Sequence, residues 1–253
     1  AAISYALSPS EFDAWGWRIP FLLSIGLVGF GLWLRRGVDE TPAFIALKAK
    51  AATSRAPIMD VFRDHARPLF TSIGARVGPD VFYALLVVFT LTYVTLVLHL
   101  SRSLALTATM IGAACHAFAI PFFGDLSDRA GRRSVYAVAT VLSIIWSFAY
   151  FMLMDTRRPS AIALAVTVGM ILHAMMYGPQ AALITEQFPS RVRYAGSSLA
   201  YTLTGVVAGG FAPLIFTALY KSYGSTIRLS LYLSFALVLT LVALWYARAE
   251  VDS

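Results

Sequence analysis

The stretch Gly124-Asp125-Leu126-Ser127-Asp128-Arg129-Ala130-Gly131-Arg132-Arg133 decides how this chain is read. It has the form G-x-x-x-D-R-x-G-R-R and stands between two apolar runs, 104–123 and 135–154. A run of about 20 apolar residues can cross a bilayer as a helix. The two runs therefore predict neighbouring transmembrane helices joined by a tight, charged turn. Gly124 and Gly131 supply the small residues that such a turn needs. Asp128 and Arg129 can pair with charges on neighbouring helix ends. Arg132 and Arg133 fix orientation, because cations between spans concentrate on the cytoplasmic side.

Working outward, five more segments have the length and apolarity of spanning helices: 15–34, 69–98, 161–185, 196–220 and 227–247. The composition agrees with seven spans. Of 253 residues, 58% are hydrophobic and only 13% are charged. Soluble domains carry about 25% charged residues, so this chain has too little polar surface to cover a water-soluble globule. A net charge of +7 does not point to nucleic acid, since the basic residues lie between the apolar runs. Cys115 is the single cysteine, which excludes an intrachain disulfide and a cysteine-based metal site. The sequence holds no His/Asp/Glu metal spacing, nucleophile elbow or phosphate loop. An enzyme is therefore not expected, and no cofactor or metal is implied. The chain begins Ala-Ala-Ile and reads as a piece of a longer protein.

Lysine and arginine set the topology. Thirteen lie on one side of the seven segments: Arg35, Arg36, Lys48, Lys50, Arg55, Arg63, Arg67, Arg129, Arg132, Arg133, Arg191, Arg193 and Arg248. Six lie on the other: Arg18, Arg102, Arg157, Arg158, Lys221 and Arg228. The first side is read as cytoplasmic, with the N-terminal stretch outside and the C-terminus inside. The long connection 35–68 is cytoplasmic on this reading. In it, Thr41-Pro42 looks like a helix start. Residues 57–67 could form a second short helix, with Ile58, Val61 and Phe62 on the membrane surface. A solvated linker is the alternative.

The central motif resembles the loop signature of the major facilitator superfamily, which occurs once in each six-helix half and forms part of a cytoplasmic gate. Three other stretches sharpen the resemblance. One is Trp15-Gly16-Trp17-Arg18-Ile19-Pro20-Phe21-Leu22-Leu23-Ser24, and a second is Asp39-Glu40-Thr41-Pro42-Ala43-Phe44. The third runs from Tyr177-Gly178-Pro179-Gln180-Ala181-Ala182 through Glu186-Gln187-Phe188-Pro189-Ser190-Arg191-Val192-Arg193-Tyr194-Ala195-Gly196. Together they look like the metabolite:proton symporter branch, which includes shikimate, dicarboxylate, citrate and proline/betaine carriers.

The resemblance implies an all-α membrane protein of the major facilitator type, here the C-terminal six-helix half plus one preceding helix. It divides the chain into an extracytoplasmic remnant (1–14), a helix of the missing N-terminal half (15–34) and a central cytoplasmic linker (35–68). A six-helix bundle (69–247) and a cytoplasmic tail (248–253) follow. It also implies an inner-membrane location, and as partners a small-molecule substrate, protons, lipid and five missing helices. The expected activity is proton-coupled uptake of a small organic anion or zwitterion by alternating access. An uncoupled facilitator or exporter, and a non-transporting membrane fragment, are the alternatives.

Charged residues within a membrane span are functional candidates by default. Arg76 and Asp80 qualify, and their spacing of four puts them on one helical face with Tyr83. At about 1.5 Å per residue from Leu69, Asp80 lies roughly 16 Å deep, near the midplane. Arg76 is read as a clamp for a substrate carboxylate and Asp80 as a proton-titrating partner, against the alternative of a structural ion pair. Pro79 should kink this helix and free a backbone carbonyl. The family often carries a basic and an acidic residue here, but the Pro-Asp pair departs from its pattern.

His173, Tyr177 and Gln180 share a face of the fifth segment and are expected to line water or substrate. His173 could titrate near neutral pH, while an interhelical contact is its bland reading, as for His116. Gly205-x-x-x-Gly209 predicts close helix packing, with Tyr201 and Thr204 free to face a cavity. Glu186 and Arg193 form either a surface pair or a gate contact with Asp128 or Arg129.

Overall fold

The computed structural model describes residues 7–37 and 57–247. All regular structure among them is helical. The Thr41-Pro42 helix start, the rest of the 39–44 stretch and the 248–253 tail lie outside the described residues. The chain divides into two units, 1–53 and 54–253.

In the first unit, α1 (Pro9–Ala14) opens on a reciprocal cap. The Ser8 hydroxyl accepts from the Glu11 amide at 3.3 Å, and the Glu11 carboxylate accepts from the Ser8 amide at 3.0 Å. The Ser8 hydroxyl also donates to the Glu11 carboxylate at 2.6 Å, and this bond, with that from the Ser8 amide, holds the Glu11 carboxyl below its ordinary pKa. A short 3₁₀ turn, Gly16–Arg18, leads into α2 (Ile19–Arg36).

The second unit contains α3 (Pro57–Asp64), α4 (Ala66–Ala84), α5 (Arg102–Ala130), α6 (Arg132–Asp155), α7 (Pro159–Thr185), α8 (Arg193–Thr204), α9 (Ala212–Tyr223) and α10 (Thr226–Tyr246). Helix α4 continues to Val97 through two π-helical turns, Leu85–Phe89 and Tyr93–Val97. A third π-helical stretch, Gly205–Gly210, joins α8 to α9. Counting these as continuous, seven helices among the described residues are long and apolar enough to cross a membrane, as the sequence predicts. Helices suit that role because every backbone group is satisfied within the segment, where no water is at hand.

Helix α7 packs against α5 and α6, α4 packs against α10 and α8, and α6 packs against α10. Phe82, Leu86, Phe89, Tyr93, Tyr150 and Phe151 fill the core between them. The closest approaches to a neighbouring helix backbone fall at glycines other than Gly205 and Gly209. A Cβ on Gly178 would stand 2.8 Å from the Gly124 backbone nitrogen, and one on Gly78 would stand 2.9 Å from Leu237 Cα. Around Gly205 there is open space, and a Cβ on Gly209 would meet only Asp80 Cβ, at 3.8 Å. Within this unit the Gly205-x-x-x-Gly209 spacing therefore makes no close helix contact. The backbone there is π-helical, so the four-residue spacing does not form the expected α-helical ridge.

Two further expectations are corrected. Helix α5 does not stop near 123 but runs through Gly124, Asp125, Asp128 and Arg129 to Ala130. The turn is the single residue Gly131, at φ +90°, a conformation that disfavours a side chain. The motif's charges allow this extension by pairing one helical turn apart. Helix α3 forms as foreseen, with Ile58 and Phe62 exposed, but Val61 is fully buried with Leu69, Phe188 and Val192. Its apolar face is partly covered by protein.

Candidate functional site

Helix α4 carries Arg76 and Asp80 about 15 and 21 Å from its start by helical rise, and side chains of other helices reach its backbone there twice. Pro79 has no N–H, so the Ala75 carbonyl lacks its helical donor. The Tyr136 hydroxyl of α6 donates to that carbonyl at 2.7 Å. One residue earlier, the Thr240 hydroxyl of α10 accepts from the Gly78 amide and donates to the Gly74 carbonyl, both at 2.9 Å. An α-helix pairs these two groups with each other, so Thr240 bonds to both ends of one rung. Side chains of two other helices thus reach the α4 backbone at two successive rungs. Sequence reasoning foresaw the freed carbonyl but not Tyr136 or Thr240, because a hydroxyl on a distant helix leaves no local signal.

Arg76 lies inside this irregular turn. Its Nη2 donates to both Asp80 oxygens, at 2.8 and 2.9 Å. The two side chains are 9% and 14% exposed, so the pair is largely withdrawn from solvent. The guanidinium also lies over the Tyr201 ring, 3.7 Å from its centroid, a cation–π contact. Its Nε and Nη1 are buried with no hydrogen-bond partner among the described residues. Asp80 therefore uses the nitrogen that both forks of the guanidinium share, and leaves two separate donors, Nε and Nη1, unsatisfied.

The residues expected on α7 divide into two groups. Gln180 is buried and donates through Nε2 to the Tyr136 hydroxyl at 3.0 Å. Tyr136 has a single proton, given to Ala75, so it must accept here. That fixes the amide orientation and leaves Gln180 Oε1 buried without a partner among the described residues. His173 and Tyr177 instead join an aromatic group with Tyr83 of α4 and His116 of α5. His173 lies 5.0 Å from Tyr83 and 5.7 Å from Tyr177, between ring centroids. His116 Nε2 meets His173 Nδ1 at 2.8 Å. His173 is buried, His116 is half-buried, and Tyr83 and Tyr177 are exposed. Thr204 is buried and bonds to Ala200 of its own helix, so it lines no cavity here.

The charged turn forms a second polar region. Arg129 pairs with Asp125 at 2.9 Å and Arg132 with Asp128 at 2.8 Å. Arg132 also reaches Glu186 at the end of α7. Arg133 donates to the Trp245 carbonyl of α10 at 3.0 Å. Glu186 thus meets the motif through Arg132 and not through Asp128 or Arg129. Arg193 turns away to the Phe188 carbonyl, at 3.2 Å. Among the described residues, no group of three or more His, Cys, Asp or Glu side chains could hold a metal ion.

Comparison with known proteins bears on this arrangement. The family model of the Major Facilitator Superfamily matches residues 1–213 and, in a second match, 81–253. The chain is 32% identical over 235 residues to the shikimate transporter of Escherichia coli (strain K12), covering 91% of the chain and 54% of that protein. It is 33% identical over 246 residues to the citrate-proton symporter of Klebsiella pneumoniae, covering 97% and 55%. With the ectoine/proline transporter of Corynebacterium glutamicum it shares 28% over 247 residues, covering 94% and 49%. The chain belongs to the Major Facilitator Superfamily and is a multi-pass membrane protein. It spans about half the length of the curated relatives it matches.

Proposed function

We propose that this chain forms part of a secondary active transporter that takes up a small organic anion or zwitterion together with protons, by alternating access. The observation that carries the reading is the Arg76–Asp80 pair, buried in a spanning helix with two guanidinium donors, Nε and Nη1, unsatisfied. Leaving such donors unpaired in a low-dielectric interior costs free energy. A carboxylate oxygen matches such a donor, through a charge-assisted hydrogen bond. Because these donors are enclosed in this conformation, the substrate reaches them only when the helices around α4 move. The interrupted backbone at 74–79 places a pliable turn where such movement is needed.

Relatives named for shikimate, citrate and ectoine/proline support a carboxylate-bearing substrate, and a relative named as a citrate-proton symporter supports proton coupling. Arg76 is the anion-recognising group in this reading and Asp80 its counter-charge, with Asp80 and His173 the candidates for the coupled proton. The motif Gly124, Asp128, Arg129, Gly131, Arg132 and Arg133 acts as the cytoplasmic gate, tying α5 and α6 to α7 and α10. Five further helices would complete the translocation path. The protein lies in the inner membrane with its C-terminus in the cytoplasm, as the positive bias indicates.

The test is uptake of labelled shikimate, citrate and proline by cells expressing the full-length protein. Accumulation that collapses on adding a protonophore is expected. Accumulation indifferent to the protonophore would leave an uncoupled facilitator.

A further inference from the structure

The His116–His173 contact is not used by the anion site. Each ring comes from a different helix, and their nitrogens meet at 2.8 Å. We propose that this imidazole pair holds the coupling proton, as one proton carried by two rings. The proposal rests on the proton-coupled reading above and assigns the proton to a residue pair.

The hydrogen bond sets how many protons the pair can take. In the neutral pair one contact nitrogen donates and the other accepts. A first added proton goes to the far nitrogen of the donating ring. That ring becomes an imidazolium whose N–H still points at its neighbour's lone pair, and the bond becomes charge-assisted. A second proton has only the accepting contact nitrogen left. It would set two N–H groups against each other at 2.8 Å. The pair therefore switches between neutral and singly charged.

Its surroundings fit a carrier better than a fixed ion pair. From α4 it is faced by Tyr83, with Arg76 two helical turns away on that helix. From α7 it is faced by Tyr177. No carboxylate is hydrogen-bonded to either ring among the described residues. His116 is half-buried beside exposed Tyr83 and Tyr177, whereas His173 is enclosed. A proton therefore reaches His116 first.

Arg76 supplies the coupling. It stands two helical turns from Tyr83 on α4, so its charge disfavours a second cation on the imidazole pair, and a substrate carboxylate bound to its free donors would offset that charge. Anion and proton then favour each other's binding by the same factor. Asp80 is less suited to the task, because both its oxygens already accept from Arg76 Nη2. Protonating it would give up one of those bonds.

The experiment uses the full-length protein and the compound, among labelled shikimate, citrate and proline, that the wild type accumulates. His116→Gln and His173→Gln each keep a hydrogen-bonding side chain and cannot carry the charge. Each is expected to lower protonophore-sensitive accumulation to the equilibrium level while exchange of internal for external substrate persists. That exchange also shows that the variants are folded. Wild-type-like coupling in both variants would overturn the proposal, as would loss of coupling in Asp80→Asn alone. Loss of exchange together with accumulation also counts against it, since the rings would then do more than hold a proton. If wild-type accumulation ignores the protonophore, the proton-coupled reading itself fails, and the pair's role goes with it.

Discussion

Both carboxylate oxygens of Asp80 converge on a single nitrogen of Arg76, Nη2, at 2.8 and 2.9 Å. A fork-to-fork pair would have used two guanidinium nitrogens and left less of the cation available. Here Nε and Nη1 have no partner among the described residues. One carboxylate is already accommodated, and two single donors remain for an incoming anion.

This arrangement predicts that Arg76→Lys lowers uptake of an anionic substrate about 10- to 100-fold, the equivalent of about 1.5–3 kcal/mol for hydrogen bonds to a charged group. Lysine keeps the charge but cannot reproduce the planar edge. Surface expression should be retained. Arg76→Ala should also destabilise the protein by about 3–5 kcal/mol, because Asp80 is left as a buried unpaired charge. If the Arg76→Ala, Asp80→Ala double variant transports with unchanged affinity and coupling, the pair is structural only.

The two rungs of α4 reached by other helices should respond differently. Tyr136→Phe removes the hydroxyl that donates to the Ala75 carbonyl and should cost about 1–3 kcal/mol in thermal unfolding. Thr240→Val should cost less, because the Gly78 amide and the Gly74 carbonyl are helical partners of each other. Pro79→Ala restores an N–H opposite Ala75 and should reduce the cost of Tyr136→Phe. A double-mutant cycle between positions 79 and 136 that shows no coupling would rule out this account of the helix.

Glycine substitutions separate close packing from mere spacing. Gly178→Ala forces a Cβ against the α5 backbone at Gly124 and should destabilise by about 1–3 kcal/mol. Gly205→Ala meets open space and should be neutral or stabilising by up to about 1 kcal/mol, through helix propensity. Melting temperatures in detergent decide the matter. An equal loss at both positions would restore a packing role to Gly205.

Orientation is testable at the charged turn. Ser127 is buried and would report poorly, whereas Ala130 is exposed at the end of α5. In a Cys115→Ser background, Ala130→Cys should resist an impermeant thiol reagent in intact cells and react after permeabilisation. Reaction in intact cells would place the motif outside and reverse the topology.

The amino-acid sequence alone determined the seven spans, the α-helical class and the family. Each rests on information local to a segment: the length of an apolar run, the cations between runs, and a ten-residue motif. It also brought Arg76 and Asp80 together, since residues four apart on a helix are neighbours whatever surrounds them. Tertiary structure decided the rest. Tyr136, Thr240 and His116 gain their places only when α6, α10 and α5 pack against α4 and α7. The glycines in close contact are those where two helix axes approach, and a spacing such as Gly205-x-x-x-Gly209 cannot reveal where that happens. Arg132 reaches Glu186 because α6 begins beside the end of α7, 54 residues along the chain. The common reason is that helix formation is set by neighbours in sequence, whereas a polar group inside a membrane takes its partner from whichever helix lies across from it.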